Sequence, residues 1–329
     1  MWFSKKKEEE TGILGVDLGV GGIKLVELIS KNGRAHLGTY GFTEGFLGIE
    51  KKTMAEESVK NTVQQAKEAA AQDAVEMKRL GLALKMLVEK CGAKSKQAVA
   101  SIPISTVFSA VITVAKTDDK AQLAGLVQQE AKKLLPVPLE DVVLDYRELP
   151  EIFVDVETAR KTRTKLIVTA APRKAVARYT AIFKEAGLQL KSLETESFAL
   201  VRALVGNDPA AVMVLDMGAA RTNVYLIRGA VPLMHRSINI GGRDFTKALV
   251  EKLHVTAEEA EQIKIDLAMR RDGDALLDAF KPAADPIVQE IKYHIQLFEK
   301  QLGGAAARPD KIILTGGSSL LPNLDKYLE

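Results

Sequence analysis

Residues 14–26 read Leu14-Gly15-Val16-Asp17-Leu18-Gly19-Val20-Gly21-Gly22-Ile23-Lys24-Leu25-Val26. An apolar run ends in a carboxylate, a glycine follows two residues on, and a second apolar run begins after a few small residues. Glycine lets the backbone turn tightly there and approach a ligand without a Cβ in the way. Successive N–H groups in such a turn point into a concavity that suits phosphate oxygens. One Asp-x-Gly alone is also an ordinary start to a hairpin turn. The chain, however, repeats the device: Met213-Val214-Leu215-Asp216-Met217-Gly218-Ala219-Ala220-Arg221-Thr222-Asn223-Val224-Tyr225 has the same order of strand, Asp, apolar residue, Gly and second strand. Two facing copies would set Asp17 and Asp216 across a cleft, acceptor-only groups able to hold a hydrated Mg2+ beside a triphosphate. The expectation is a nucleotide clamp, one jaw from each half of the chain.

Competing phosphate-binding patterns fail on spacing. A P-loop needs Gly-Lys-Ser/Thr, and the chain contains no Gly-Lys dipeptide. The dinucleotide fingerprint would put its third glycine where Lys24 stands, and the segment that follows is β-patterned. Three further stretches agree with the clamp. Ile240-Gly241-Gly242-Arg243-Asp244-Phe245 ends a strand and opens a helix, so its glycines can bring a helix N-terminus toward phosphate. Ala260-Glu261-Gln262-Ile263-Lys264 puts Glu261 and Lys264 on one helix face, a carboxylate for ribose hydroxyls beside a lysine for base or sugar. Lys311 to Leu320 is again strand, Gly316-Gly317, then helix start at Ser318-Ser319, a backbone shelf for a flat adenine ring.

Outward from these motifs the chain alternates strand-like and helical runs, the pattern of an α/β protein. Strands are expected over 13–16, 23–29, 40–46, 98–102, 107–115, 141–149 and 165–171. Glu56 to Cys91 is Ala-rich and helix-favouring, and its Gly81 predicts a break into two helices. Asp118 to Leu135 reads as a helix with Asp118 or Asp119 as N-cap, and Lys174 to Ala186 as a helix ended by Gly187. Glu157 to Arg163 is a charged, solvated loop.

Composition bounds the rest. The 329 residues are 47% hydrophobic and 27% charged, enough for two domains with a sizeable core. With 46 Lys plus Arg against 43 Asp plus Glu the net charge is +3, which implies no overall field for wrapping nucleic acid. The single cysteine, Cys91, excludes a disulfide framework and points to a reducing compartment. His36, His235, His254 and His294 lack metal-ligand spacing. No apolar stretch approaches the ~20 residues of a membrane span. Residues 1–10 end in Lys5-Lys6-Lys7-Glu8-Glu9-Glu10, which reads as a solvated tail; the sharper reading is a weak lipid contact through Trp2, Phe3 and the lysines.

Asp17 to Lys24, Asp216 to Thr222, Gly241-Gly242 and Gly316-Gly317-Ser318 stand in the order of the phosphate-1, phosphate-2 and adenosine motifs of the actin-like ATPase superfamily, which the chain resembles over essentially its whole length. The middle stretches Val99 to Pro103, Phe108 to Ala115, Glu130 to Pro136, Val142 to Leu149 and Val168 to Arg173 resemble the insertion that distinguishes one branch, the PilM family. That family supplies the cytoplasmic actin-like component of the type IV pilus assembly platform.

The resemblance implies an α/β, actin-like fold of two related lobes with an inserted 1C-type subdomain. A flexible tail takes residues 1–10, the N-terminal lobe 11–103 and 172–206, the insertion 104–171, and the C-terminal lobe 207–329. It implies ATP and Mg2+ as ligands, with Asp17 and Asp216 as metal-side carboxylates and Gly19, Gly21, Gly22, Gly218 and Thr222 around the phosphates. Lys24 either faces phosphate or pairs with a surface carboxylate. Gly241 and Gly242 would bring a helix N-terminus toward phosphate, and Glu261, Lys264, Gly316, Gly317 and Ser318 would serve ribose and adenine. Glu196 matches a position where relatives orient the attacking water; its alternative role is a helix-start carboxylate.

The implied partner is the N-terminal cytoplasmic segment of a PilN-like membrane protein, received in a groove between insertion and N-terminal lobe. Pilus motor ATPases and self-association are further implied contacts. The protein would reach the inner face of the inner membrane only through its partner. Relatives carry Ser or Thr after the first Asp-x-Gly where this chain has Val20-Gly21-Gly22, so at most a slow ATPase is expected. Relatives also continue beyond the adenosine motif with a closing segment, so the C-terminal lobe is expected to be shortened at Glu329. The alternatives are an FtsA-like cell-division protein, a GspL-like secretion component and a small-molecule kinase, for which the chain shows no positioned base.

Overall fold

The computed structural model describes residues 12–43, 63–149, 162–269, 277–302 and 308–328. The tail, the first residues of the 56–91 stretch and most of the charged loop at 157–163 lie outside the described residues. The chain divides into two compact units, Met1–Arg147 with Leu166–Glu196 and Glu148–Lys165 with Ser197–Glu329.

Unit 1 is built on a five-stranded sheet of order β3-β2-β1-β4-β8. Its strands are β1 (Gly12–Gly19), β2 (Gly22–Lys31), β3 (Arg34–Phe42), β4 (Gln97–Ile102) and β8 (Gln189–Thr195). β1 and β2 form the expected antiparallel hairpin, with Asp17 opposite Lys24 and Gly19 opposite Gly22. β4 joins β1 in parallel and β8 joins β4 in parallel. Period-two burial puts Leu14, Val16, Leu18, Ile23 and Leu25 into the core. On the other face of the β2–β3 pair, Val26, Leu28, Leu37, Tyr40 and Phe42 are exposed.

Helices α1 (Val63–Lys90) and α3 (Arg173–Glu185) pack on each other beside this sheet. Here one expectation is corrected: α1 runs unbroken through Gly81. A Cβ at Gly81 would stand 2.5 Å from the Glu185 Cβ and 3.0 Å from the Ile182 carbonyl oxygen, so the glycine serves close helix packing rather than a break. Arg178 of α3 reinforces the pair by bonding Asp73 and, at 3.0 Å, Glu76 of α1.

A separate three-stranded sheet of order β5-β7-β6 comprises β5 (Phe108–Ala115), β6 (Val142–Glu148) and β7 (Arg163–Pro172). Helix α2 (Lys120–Leu134) covers one face, with Val127 and Ala131 buried against Ile112, Val114, Leu166 and Val168. Asp119 is the N-cap of α2, accepting from the backbone N–H groups of Ala121 at 2.8 Å and Gln122 at 3.2 Å.

Unit 2 repeats the start of unit 1. β9 (Val212–Met217) and β10 (Thr222–Arg228) form an antiparallel hairpin with Asp216 opposite Asn223, and β12 (Lys311–Thr315) joins β9 in parallel. β11 (Val231–Ile238) completes a sheet of order β11-β10-β9-β12. α4 (Glu196–Leu200) and a π-helical turn, Val201–Val205, precede this sheet. The core gathers Met213, Leu215, Val224 and Leu226 against α5 (Gly242–Leu253), α6 (Ala257–Met269) and α7 (Leu277–Leu302), with Phe245 and Phe280 edge to face at 5.7 Å. α8 (Leu324–Leu328) ends the described chain.

Candidate functional site

In unit 1 the candidate residues collect at the C-terminal ends of parallel strands, where open α/β sheets bind ligands. Asp17 leaves the end of β1, Ser101 the end of β4, and Glu196 follows β8 directly. Lys24 Nζ donates to Asp17 Oδ2 at 3.3 Å, and the Ser101 hydroxyl lies 3.5 Å from Asp17 Oδ1. The Asp17 side chain is 38% exposed, so this pair is a surface contact that solvent screens and an incoming cation can replace. Glu196 Oε2 accepts from the Ile104 N–H at 3.4 Å. Tyr179 of α3 is buried nearby: burial first, then the charges of Glu196 and Asp17, push its hydroxyl far up from the ordinary phenol value, with Arg178 opposing. Asp17, Glu196 and Tyr179 therefore share one electrostatic neighbourhood. The turn at Gly19, Gly21 and Gly22 is tied down by Thr43, whose hydroxyl accepts from the Ile23 N–H at 2.9 Å.

Unit 2 assembles a frame of its own from three loops. The Gly242 and Arg243 N–H groups donate to the Gly218 and Ala219 carbonyls, both at 2.9 Å, so the N-terminus of α5 is fastened to the β9–β10 turn. A Cβ at Gly241 would fall 2.5 Å from the Arg221 nitrogen, which leaves no room for any other residue. Asp244 Oδ2 accepts from the Gly241 N–H at 2.8 Å and closes the helix start. Thr222 is fully buried, and its hydroxyl donates to the Ile240 carbonyl at 2.8 Å; it holds two loops in register. Gly316, with φ of +88° and a would-be Cβ 2.5 Å from the Met217 carbonyl oxygen, accepts only glycine, whereas Gly317 faces open space.

The Glu261–Lys264 pair sits against this frame. Lys264 Nζ donates to Glu261 Oε2 at 2.6 Å, to the Thr246 hydroxyl at 2.8 Å and to the Gly242 carbonyl at 3.0 Å. Thr246 also donates to Glu261 at 2.6 Å. Burial raises the Glu261 carboxyl, but the hydrogen bonds from Lys264 and Thr246 outweigh it and leave it below the usual range. Ser318 is buried, its hydroxyl 2.9 Å from where a Gly242 Cβ would be. Gly218, Gly242, Lys264 and Ser318 are thus brought together. A groove of about 730 Å³ continues between α5 and α6, lined by Arg243, Thr246 and Val250 on one side and Ala257, Glu261 and Ile265 on the other.

Sequence reasoning missed Ser101, Tyr179 and Thr246. Only Thr246 had a local signal, one turn beyond Gly242 on the same helix; the others reach the site through long-range packing. Among the described residues no three His, Cys, Asp or Glu gather as a metal cluster. Asp17 with Ser101 offers oxygen donors of the kind a hydrated magnesium takes.

Two sheets, each opened by an Asp-x-Gly hairpin and extended by a parallel strand, define an actin-like fold, the class to which this α/β chain belongs. Within that class the sequence matches the Type IV pilus assembly protein PilM family over residues 15–329, and the chain belongs to that family. Among solved structures it is similar to the PilM-PilN type IV pilus biogenesis complex, with a TM-score of 0.72 and 26% identity, covering 96% of this chain and 84% of that one. It also shares its fold with the ethanolamine utilization protein EutJ from Carboxydothermus hydrogenoformans, at a TM-score of 0.56 and 16% identity over 96% of this chain and 80% of the other. No helix among the described residues is long and apolar enough to cross a membrane.

Proposed function

We propose that the chain is an ATP-binding scaffold of the type IV pilus assembly platform at the inner face of the inner membrane, receiving the N-terminal cytoplasmic segment of a PilN-like membrane protein. The observation that carries this reading is the family match over residues 15–329, joined by 26% identity to a chain solved as a PilM-PilN complex. The groove for the segment would lie between an insertion of residues 104–171 and an N-terminal lobe of 11–103 and 172–206, with 207–329 as the C-terminal lobe. The three-stranded sheet drawn from β5, β6 and β7 supports treating the insertion as a separate body.

For the nucleotide, Asp17 and Asp216 are the metal-side carboxylates, Gly19, Gly21, Gly22 and Gly218 lie around the phosphates, Gly241 and Gly242 set the helix start beside them, and Glu261, Lys264, Gly316, Gly317 and Ser318 serve ribose and adenine. Thr222 acts by holding the Ile240 loop. Mg-ATP, when bound, would supply charge neutralisation at these loops. Lys24 holds Asp17 in its absence, and Glu196 orients a water. With Val20, Gly21 and Gly22 in the first turn, no side-chain hydroxyl meets phosphate there, which supports a nucleotide held rather than rapidly turned over.

The test is titration calorimetry. Asp17→Ala and Asp216→Ala should each abolish Mg-ATP binding while circular dichroism stays unchanged. A PilN-type N-terminal peptide should bind the wild-type chain with Mg-ATP present. Unchanged nucleotide affinity in either variant would sink the two-carboxylate reading, and a peptide that does not bind would sink the scaffold.

A further inference from the structure

Unit 1 has a second pole. Because β1, β4 and β8 are parallel, their N-terminal ends share one side of the sheet, roughly 20 Å along the strands from the end that carries Asp17 and Glu196. The β2–β3 hairpin turns at this same side, with Gly12 opposite Ile29 and Lys31 opposite Arg34. Lys94 and Lys96 lie on the segment that enters β4. That segment is pinned: the Lys94 and Ser95 N–H groups donate to Glu27 at 2.9 and 2.7 Å, and the Gln189 N–H donates to the Lys96 carbonyl at 2.8 Å. Lys184 stands in the last turn of α3 and Lys191 in the first residues of β8.

All six of these basic side chains are exposed; the exposed carboxylates nearest to them along the described chain are Glu89 and Glu185. Among the described residues no salt bridge engages Arg34, Lys94, Lys96, Lys184 or Lys191. A chain with a net charge of only +3 has therefore gathered a strongly cationic patch on one end of one unit.

We infer that this pole rests on the anionic phospholipid headgroups of a bilayer. The complementarity is of charge and of kind. Five of the six residues are lysines, hydrated point charges on mobile stems that suit a diffuse polyanionic plane, whereas recognition of a defined carboxylate or phosphate favours the arginine fork. Each basic residue close to such a surface strengthens attachment by a factor of about five, within a Debye length of roughly 8–10 Å. The strand ends bearing Asp17 and Glu196 then point away from the lipid and stay open to ligand.

The 329-residue chain should co-sediment at low salt with vesicles made of equal parts phosphatidylcholine and phosphatidylglycerol, and not with phosphatidylcholine alone; high salt should release it. Replacing Lys96, Lys184 and Lys191 together by Glu should weaken attachment by at least about 100-fold, as three factors of about five multiply, with an unchanged circular dichroism spectrum. A second variant with Lys5, Lys6 and Lys7 replaced by Ala should still bind. The inference is overturned if both vesicle types bind alike, if the triple Glu variant binds as wild type, or if only the second variant loses attachment. It is equally overturned if the protein ignores vesicles and binds poly-glutamate, the mark of an acidic protein partner. No partner peptide or nucleotide enters the assay, so its outcome is independent of the scaffold reading.

Discussion

Glu27 shows how one residue can be both a cost and a support. It points inward from β2 and is 3% exposed, in a position where the strand otherwise buries Ile23 and Leu25. Desolvation alone would raise its carboxyl. Oε1, however, accepts from the Lys94 N–H at 2.9 Å, the Ser95 N–H at 2.7 Å and the Ser95 hydroxyl at 2.6 Å, and with the nearby Lys94 charge these bonds leave it below its ordinary 4.5. A carboxylate whose folded value is depressed gives stability that is present above its unfolded value and lost as pH falls through the folded one. Glu27→Gln keeps an acceptor oxygen but gives up the charge, so it should cost about 1.5–3 kcal/mol at pH 7. In urea unfolding the gap between wild type and variant should close as pH drops below 4.5. A gap that persists at pH 3 would show that shape, not charge, holds the β4 entry segment.

At the scale of elements, the same substitution should act with opposite sign on two helices. Gly81→Ala in α1 gains about 1 kcal/mol of helix propensity, yet its Cβ would meet Glu185 Cβ at 2.5 Å and the Ile182 carbonyl at 3.0 Å. Overpacking of that kind costs about 1–3 kcal/mol, and one of the obstacles is backbone, so the variant should melt lower. Gly125→Ala in α2 meets nothing within 4 Å and should melt higher, by the propensity term of about 1 kcal/mol. Thermal melts of both variants check the pair; two shifts of one sign would refute the packing argument. This pair also marks what the sequence could say. Asp119 as cap, Gly187 as stop and the two Asp-x-Gly hairpins were legible because each is local chemistry. The continuity of α1 was not, because Gly81 answers to Ile182 and Glu185, about a hundred residues away. Ser101 and Tyr179 stayed hidden at the site for the same reason: sheet register and helix packing bring them near Asp17, and no spacing encodes that.

Over the whole molecule, the internal echo means that each unit carries its own Asp-x-Gly frame, but the two frames are not equally robust to acid. Unit 2 holds two histidines in their neutral form. His235 is lowered to about 4, by burial first and then by Arg236. His294 is 6% exposed and is likewise lowered by burial, with Glu290 opposing and Arg236 adding. In the unfolded chain both take a proton near 6.5, so between that value and their folded ones the unfolded state binds more protons and stability falls as pH drops. The matching group in unit 1, Glu27, acts only below 4.5. Acidification from pH 7 to pH 5 should therefore loosen unit 2 first. Hydrogen exchange corrected for intrinsic rates should lose protection in peptides from β10 and β11 at pH 5 while those from β1 and β2 hold, and His235→Gln should remove part of that loss. Equal loss in both units, or none in either, would contradict the assignment of the acid response to these two imidazoles.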